Sequence, residues 1–79
     1  MINVKLTGQF INLAPEGSDK GLFTVPHTVD MTLSALIAQI GIKDTGLNYT
    51  VFVNNDRKPE DYVLEDSDSI MVMPLLAGG

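Results

Sequence analysis

Residues 32–41, TLSALIAQIG, decide the fold because they form the one amphipathic helix that the sequence predicts. A single apolar stripe follows the i, i+3, i+4, i+7 spacing of a helix and consists of Leu33, Leu36, Ile37 and Ile40. Thr32 is a good N-cap, and Gly41 suits a left-handed C-cap. So short a helix depends on packing for its stability, and we expect its apolar stripe to lie against a sheet.

The remaining apolar residues fall in short runs with strand character. Ile2, Val4 and Leu6 alternate with polar residues, which predicts a strand with one buried face. Further strands are predicted at 21–25, 49–53, 62–64 and 69–73. This order predicts an α+β fold, in which a mixed sheet of four to five strands has one main helix packed across one face. A right-handed crossover is expected to bring strand 49–53 beside the first strand.

The inward-facing residues of these elements form the expected core of a single domain. Residues 9–20 are predicted to be a loop, from which Phe10 and Leu13 fold back against that core. The core itself is expected to contain Ile2, Val4, Leu6, Phe23, Val25, Leu33, Leu36, Ile37, Ile40, Val51, Val53, Leu64, Ile70 and Val72.

The composition argues against several classes of protein. The formal net charge of -5 argues against binding to nucleic acid or to an anionic membrane surface. The chain has no cysteine and a single histidine, His27, so neither a disulfide framework nor a metal site is expected. No stretch is long and apolar enough to span a membrane, and the N-terminal segment lacks the features of a signal peptide. We therefore expect a cytoplasmic protein.

The sequence MPLLAGG, residues 73–79, carries the most information about function. It resembles the closing strand, proline and terminal di-glycine of the ThiS/MoaD sulfur carriers, in particular the molybdopterin-synthase small subunit. The segments VFVNNDRKPEDYVLEDSDSIMVMP (51–74), HTVDMTLSALIAQIGI (27–42) and NVKLTGQF (3–10) resemble the same family. Asn55 and Ser67 stand at turn positions where that family usually has glycine. The resemblance implies a ubiquitin-like β-grasp domain at 1–74 and a flexible tail at 75–79.

The resemblance also implies a chemistry for the tail. In this family ATP converts the carboxylate of the terminal glycine, here Gly79, to an acyl-adenylate on a separate activating enzyme, and a sulfur donor then displaces AMP to leave a thiocarboxylate. Gly78 supplies access, because a residue without Cβ lets the tail enter a narrow active site. The implied protein is a sulfur carrier and not an enzyme, it binds no cofactor, and its partner uses the ATP.

The implied partners follow from the same resemblance. They are the adenylating enzyme and an acceptor enzyme, of which the large subunit of molybdopterin synthase is the expected example. The family resemblance leaves the sulfur acceptor open between a pterin, a thiazole precursor, a tRNA base and an amino-acid pathway intermediate.

Period-two alternation predicts an apolar patch on the sheet face opposite the helix. If Ile70 and Val72 are buried, Met71 and Met73 lie on that outer face. The predicted partner-binding surface consists of Phe52, Met71, Met73, Leu75, Leu76 and Ala77. Several carboxylates, Asp68 among them, either complement a basic partner or form a plain solvated surface.

Two other functions are compatible with the sequence. A ubiquitin-like modifier uses the same adenylate but forms an isopeptide bond between Gly79 and a lysine. A noncovalent interaction domain gives the tail no chemical role. The three functions differ in what happens when Gly79 is removed and in the fate of the chain after activation.

Overall fold

The computed structural model describes residues 1–75 and contains a five-stranded mixed sheet with one α-helix on one face. The elements in chain order are β1 (Ile2–Leu6), β2 (Leu22–Val25), α1 (Leu33–Ile40), β3 (Tyr49–Val53), β4 (Asp56–Arg57) and β5 (Ser69–Pro74). Two short 3₁₀ helices, Gly8–Leu13 and Ile42–Thr45, lie in segments for which the sequence predicted no helix. The predicted α+β fold is confirmed.

Strand β5 occupies the centre of the sheet, whose order is β2-β1-β5-β3-β4. It runs parallel to β1 and antiparallel to β3. The prediction that strand 49–53 would lie beside the first strand is therefore wrong, because β5 separates the two. Both faces of β5 are apolar, with Val72 in the core and Met71 on the other side, and such strands favour the centre of a sheet.

The predicted caps of α1 are confirmed. The Thr32 side chain accepts a hydrogen bond from the Ala35 N–H over 3.1 Å, and Gly41 has the left-handed φ of 93°. Two further N–H groups of the first turn donate to a neighbouring segment: Leu33 to the Tyr62 carbonyl and Ser34 to the Glu60 carbonyl, at 2.9 and 2.8 Å. The start of the helix is thus closed by residues 60–62.

The strand predicted at 62–64 is wrong, because the backbone of residues 60–62 forms hydrogen bonds with the start of α1 instead of with another strand. Val63 forms only an isolated bridge with Thr32. The short strand lies instead at β4, which follows β3 through a turn at Asn54 and Asn55. Both asparagines have positive φ, 51° and 70°, as a tight hairpin turn requires.

The core between sheet and helix matches the predicted residues except at two positions. Phe23 and Ile40 are half-buried and pack against its edge. Phe10, from the first 3₁₀ helix, is fully buried as expected, while Leu13 is half-buried against the core. Met31 and Ile42, which flank α1, are buried as well. Among residues 1–75, no helix is long and apolar enough to cross a membrane.

Candidate functional site

The outer face of the sheet, opposite α1, carries the predicted apolar side chains. Phe52 and Met71 are direct partners in the β3–β5 ladder, and both are half-buried. Met73 pairs with Thr50 one step further along and is 37% exposed. Because alternate residues of a strand face opposite sides, these three side chains share one surface. They form an apolar strip that runs along β5 toward Leu75.

The ladder extends this surface beyond the predicted patch, to β2 and β4. Residues at one level across all five strands are, in order, Leu22, Lys5, Met71, Phe52 and Arg57. The central part of the outer face is a concavity of about 690 Å³, which contains Leu22, Lys5, Phe52 and Met71 in its lining. Leu22 and Lys5 are not among the residues that the sequence predicted for this surface. Alternation within β1 indicates that Lys5 points away from the core, but its neighbours depend on strand pairing.

The end of β5 is held on both sides, and we call this region (Thr7, Gly8, Asn48, Pro74 and Leu75) the tail root. The Thr7 N–H and hydroxyl both donate to the Val72 carbonyl, at 3.1 and 2.9 Å. On the other side, the Leu75 N–H donates to the Asn48 carbonyl over 3.0 Å. The pairing of β5 with its neighbours therefore continues as far as Leu75, whose side chain is 52% exposed.

Gly8 allows close contact at the tail root. Its φ is +57°, and a Cβ placed there would lie 2.7 Å from Cγ of Pro74. A side chain at this position would therefore push on the last residue of β5. The first 3₁₀ helix consequently begins directly against the strand end.

A pair of aromatic rings supports the tail root from the core side. Tyr49 is the ladder partner of Pro74, and its ring meets the Phe10 ring edge to face, with centroids 6.5 Å apart. Burial, with a smaller effect from the negative charge of Glu60, raises the pKa of the Tyr49 phenol above its usual value. Tyr49 is therefore uncharged at neutral pH and serves as a packing residue.

The remaining predicted site residues, Leu76, Ala77, Gly78 and Gly79, lie outside the described residues. The roles assigned to them stay predictions. Leu75 is the last residue of the predicted tail that the structure describes.

The acidic side chains do not form one surface. Asp68 is only 5% exposed, and its two carboxylate oxygens accept hydrogen bonds from the Asn54 amide and the Glu65 N–H, each at 2.9 Å. For Asp68 both alternatives, contact with a basic partner and a plain solvated surface, are therefore wrong, because this carboxylate is buried and bonded inside the domain. Glu60 forms an ion pair with Lys43 at 3.1 Å, and their mutual hydrogen bond raises the pKa of Lys43. Within residues 1–75, no three acidic or histidine side chains converge as a metal site would require.

Two solved structures are similar to this chain over nearly its full length. One, from Pyrococcus furiosus, is described as molybdopterin converting factor, subunit 1; the identity is 20%, the TM-score 0.77, and the match covers 95% of this chain and 97% of that one. The other is SAMP1 from Haloferax volcanii, with 16% identity, a TM-score of 0.73 and coverage of 99% and 98%. No protein-family model and no curated protein matches the sequence. Identities this low compare folds, and on that basis the chain has the ubiquitin-like β-grasp fold of these two small proteins.

Proposed function

We propose that the chain is a sulfur carrier, in which the carboxylate of Gly79 is adenylated and then converted to a thiocarboxylate. The observation that supports this most directly is the geometry at the tail root. The central strand β5 leads straight to Leu75, and the sequence that follows is Leu-Ala-Gly-Gly. A tail that continues a central strand is attached to the most firmly paired element of the sheet, so its starting point is fixed relative to the outer face.

The proposed reaction has two steps, both on the partner enzyme. A carboxylate oxygen of Gly79 attacks the α-phosphorus of ATP, and pyrophosphate leaves. A sulfur nucleophile from the donor then attacks the acyl carbon, and the C–O bond to AMP breaks. One oxygen of the carboxylate thus departs with AMP, and a sulfur atom takes its place. The chain contributes no acid or base. Its part is to hold the tail in position, which supplies proximity in the partner's active site.

The outer face is the proposed docking surface for that partner. Phe52, Met71, Met73 and Leu75 lie together on the side from which the tail continues. Each contributes apolar area that docking would remove from water. Methionine side chains adapt to different partner shapes, which suits a carrier that visits an activating enzyme and then an acceptor. Leu76 and Ala77 belong to the same proposed surface.

The proposed partners are an ATP-dependent adenylating enzyme and a sulfur-acceptor enzyme. The likeness to the Pyrococcus furiosus protein favours the large subunit of molybdopterin synthase as the acceptor, and thus a role in molybdenum cofactor biosynthesis. The chain itself carries no cofactor in this proposal. Because the reaction uses ATP, we place it in the cytoplasm.

Intact-mass spectrometry tests the proposal. The chain is incubated with an adenylating enzyme, ATP and a sulfide source, and the expected product is heavier by one sulfur minus one oxygen. A variant that lacks Gly79 should show no change, while Gly46→Ala, which leaves the tail intact, should react as the parent chain does. An unmodified parent chain, in a reaction where the enzyme converts its own carrier, would contradict the proposal.

The modifier function makes a different prediction in the same experiment. When a lysine-bearing target protein is added, a modifier leaves a conjugate in which Gly79 is joined to a lysine of that protein, so its product is heavier by the mass of that protein less one water. A carrier returns with a free carboxylate after it has given up its sulfur. A purely noncovalent domain keeps its binding affinity when Gly79 is removed.

A further inference from the structure

The outer face has a charge opposite to that of the whole chain. The formal net charge is -5, yet the charged side chains at strand positions facing outward are cations. Lys5 lies in the middle of the face on β1, and Arg57 lies at its edge on β4, opposite Phe52. The one acidic strand residue, Asp56, pairs with the buried Val53 and so belongs to the other side. Within the described strands, no carboxylate faces outward.

Lys5 is placed within the apolar part of this face. Its ladder partners are Leu22 on one side and Met71 on the other. Among the residues that line the concavity, Lys5 is the one that carries a charge. A protein that covers Phe52 and Met71 therefore also comes within reach of the Lys5 side chain.

The positive charges of the outer face are not neutralised within the domain. Elsewhere, Lys43 pairs with Glu60 and the Lys58 ammonium lies 5.5 Å from the centre of the Tyr62 ring, while Lys20, just before β2, forms no ion pair within residues 1–75. In the described part of the chain, neither Lys5 nor Arg57 forms an ion pair. Removing the Lys5 ammonium from water without a counter-charge would be costly.

We propose that the outer face binds a protein surface that is apolar and presents an aspartate or glutamate to Lys5. The carboxylate would compensate for the desolvation of the ammonium group, and the apolar surround would cover Leu22, Met71 and Phe52. The proposal deepens the proposed function, since it specifies the surface chemistry of the enzyme that receives the tail. The partner is thus acidic at this contact, although the chain as a whole has a net charge of -5.

A second copy of the chain does not fit this face. In a twofold dimer the same patch meets itself, so Lys5 and Arg57 of one copy would approach those of the other. Like charges at an interface disfavour association. The face therefore selects against self-association through this surface and in favour of an acidic partner.

Kinetics with the adenylating enzyme test the proposal. The KM for the chain is measured by ATP–pyrophosphate exchange for the parent chain, Lys5→Glu and Lys58→Glu. The two variants change the net charge equally, but Lys58 lies beside Tyr62 and not on the outer face. We expect Lys5→Glu to raise KM about 10-fold or more with little change in kcat, and Lys58→Glu to change KM less than about threefold. The KM of the parent chain should rise with salt concentration, and that of Lys5→Glu should not.

Equal KM values for the two variants would overturn this proposal and leave the sulfur-carrier function standing. If the parent chain does not support exchange at all, the carrier function has failed. In that case an NMR titration tests the binding surface without the enzyme. The probes are the acetylated and amidated peptides DFLEF and KFLKF, added to the parent chain. We expect DFLEF to shift the amide signals of Lys5, Leu22 and Met71, and KFLKF to shift them much less. Equal effects of the two peptides, no shifts, or shifts away from the outer face would refute the proposal.

Discussion

The Leu75 N–H donates a hydrogen bond to the Asn48 carbonyl over 3.0 Å, one residue beyond the last residue of β5. The backbone N–H groups of a strand point alternately to its two neighbours, so this bond is the next one toward β3, and the N–H that Pro74 lacks would have pointed toward β1. The Leu75 bond fixes the position at which the tail leaves the sheet. The tail root is thus held by a backbone contact that does not depend on which side chain occupies position 75.

Replacing Leu75 tests that contact. Leu75→Pro removes the N–H and should lower the free energy of unfolding by about 0.5–1.5 kcal/mol, the usual net value of one hydrogen bond. Leu75→Ala keeps the N–H and should change stability much less, because half of the Leu75 side chain is exposed. Urea denaturation measures both. Equal losses for the two variants would show that the side chain and not the backbone contact stabilises the tail root.

Gly8 provides a second test of the tail root. Gly8→Ala introduces a Cβ 2.7 Å from Pro74 Cγ at a φ of +57°, whereas Gly46→Ala, at +73°, meets nothing within 4 Å. Both should lose about 1 kcal/mol from the left-handed backbone. Gly8→Ala should lose about 1–3 kcal/mol more from overpacking against the strand end. Thermal or urea unfolding gives the difference between the two, and a difference near zero would contradict the close contact.

The helix was predictable and the order of the strands was not, for one physical reason. The stripe from Leu33 to Ile40 and its two caps are local, so they follow from residues three or four apart. The central place of β5 depends on pairing with β1, more than sixty residues away, and no local pattern encodes that. The outer face shows both effects: alternation located Met71, but only the register across β1 and β2 brought Lys5 and Leu22 beside it.

Two local predictions failed because polar groups form hydrogen bonds with residues of other segments. The Tyr62 carbonyl, expected in a strand, accepts from the Leu33 N–H at the start of α1. Asp68, expected on an acidic surface, is buried because the Asn54 amide and the Glu65 N–H provide donors for its carboxylate. A sequence shows that such residues are polar, but it does not show which distant donor or acceptor they meet.

The buried Asp68 leads to a prediction about the β3–β4 turn. The Asn54 side chain donates to Asp68 and accepts from the Ser69 N–H, each at 2.9 Å. Asn54→Ala leaves the buried carboxylate short of one donor and should cost about 1–3 kcal/mol more than Asn55→Ala. The two residues are neighbours, and both have positive φ, so replacing either one by alanine carries a similar cost in backbone conformation. Similar unfolding free energies for the two variants would show that the side-chain bonds add nothing.

Ser67 should be a site where glycine stabilises the domain. Its φ is 75°, in the region that glycine adopts without the steric cost borne by other residues. Ser67→Gly should raise the free energy of unfolding by about 0.5–1 kcal/mol. Ala38→Gly, at an exposed position inside α1, should lower it by a similar amount because glycine disfavours helix interiors. Chemical denaturation distinguishes the two signs, and a loss of stability at position 67 would be evidence against the left-handed turn.

Met71 tests whether the apolar part of the outer face takes part in docking. Met71→Ser removes apolar area without adding charge, and the loss of one docked methionine should raise the KM of the adenylating enzyme for this chain about tenfold. Val63→Ser is the matched control, since Val63 is 50% exposed and does not line the concavity of the outer face. Its KM should match that of the parent chain. Circular dichroism at the assay temperature checks that both variants are folded. If the two variants have equal KM values, the apolar strip along β5 makes no contact with the activating enzyme, and the docking surface must be sought elsewhere on the domain.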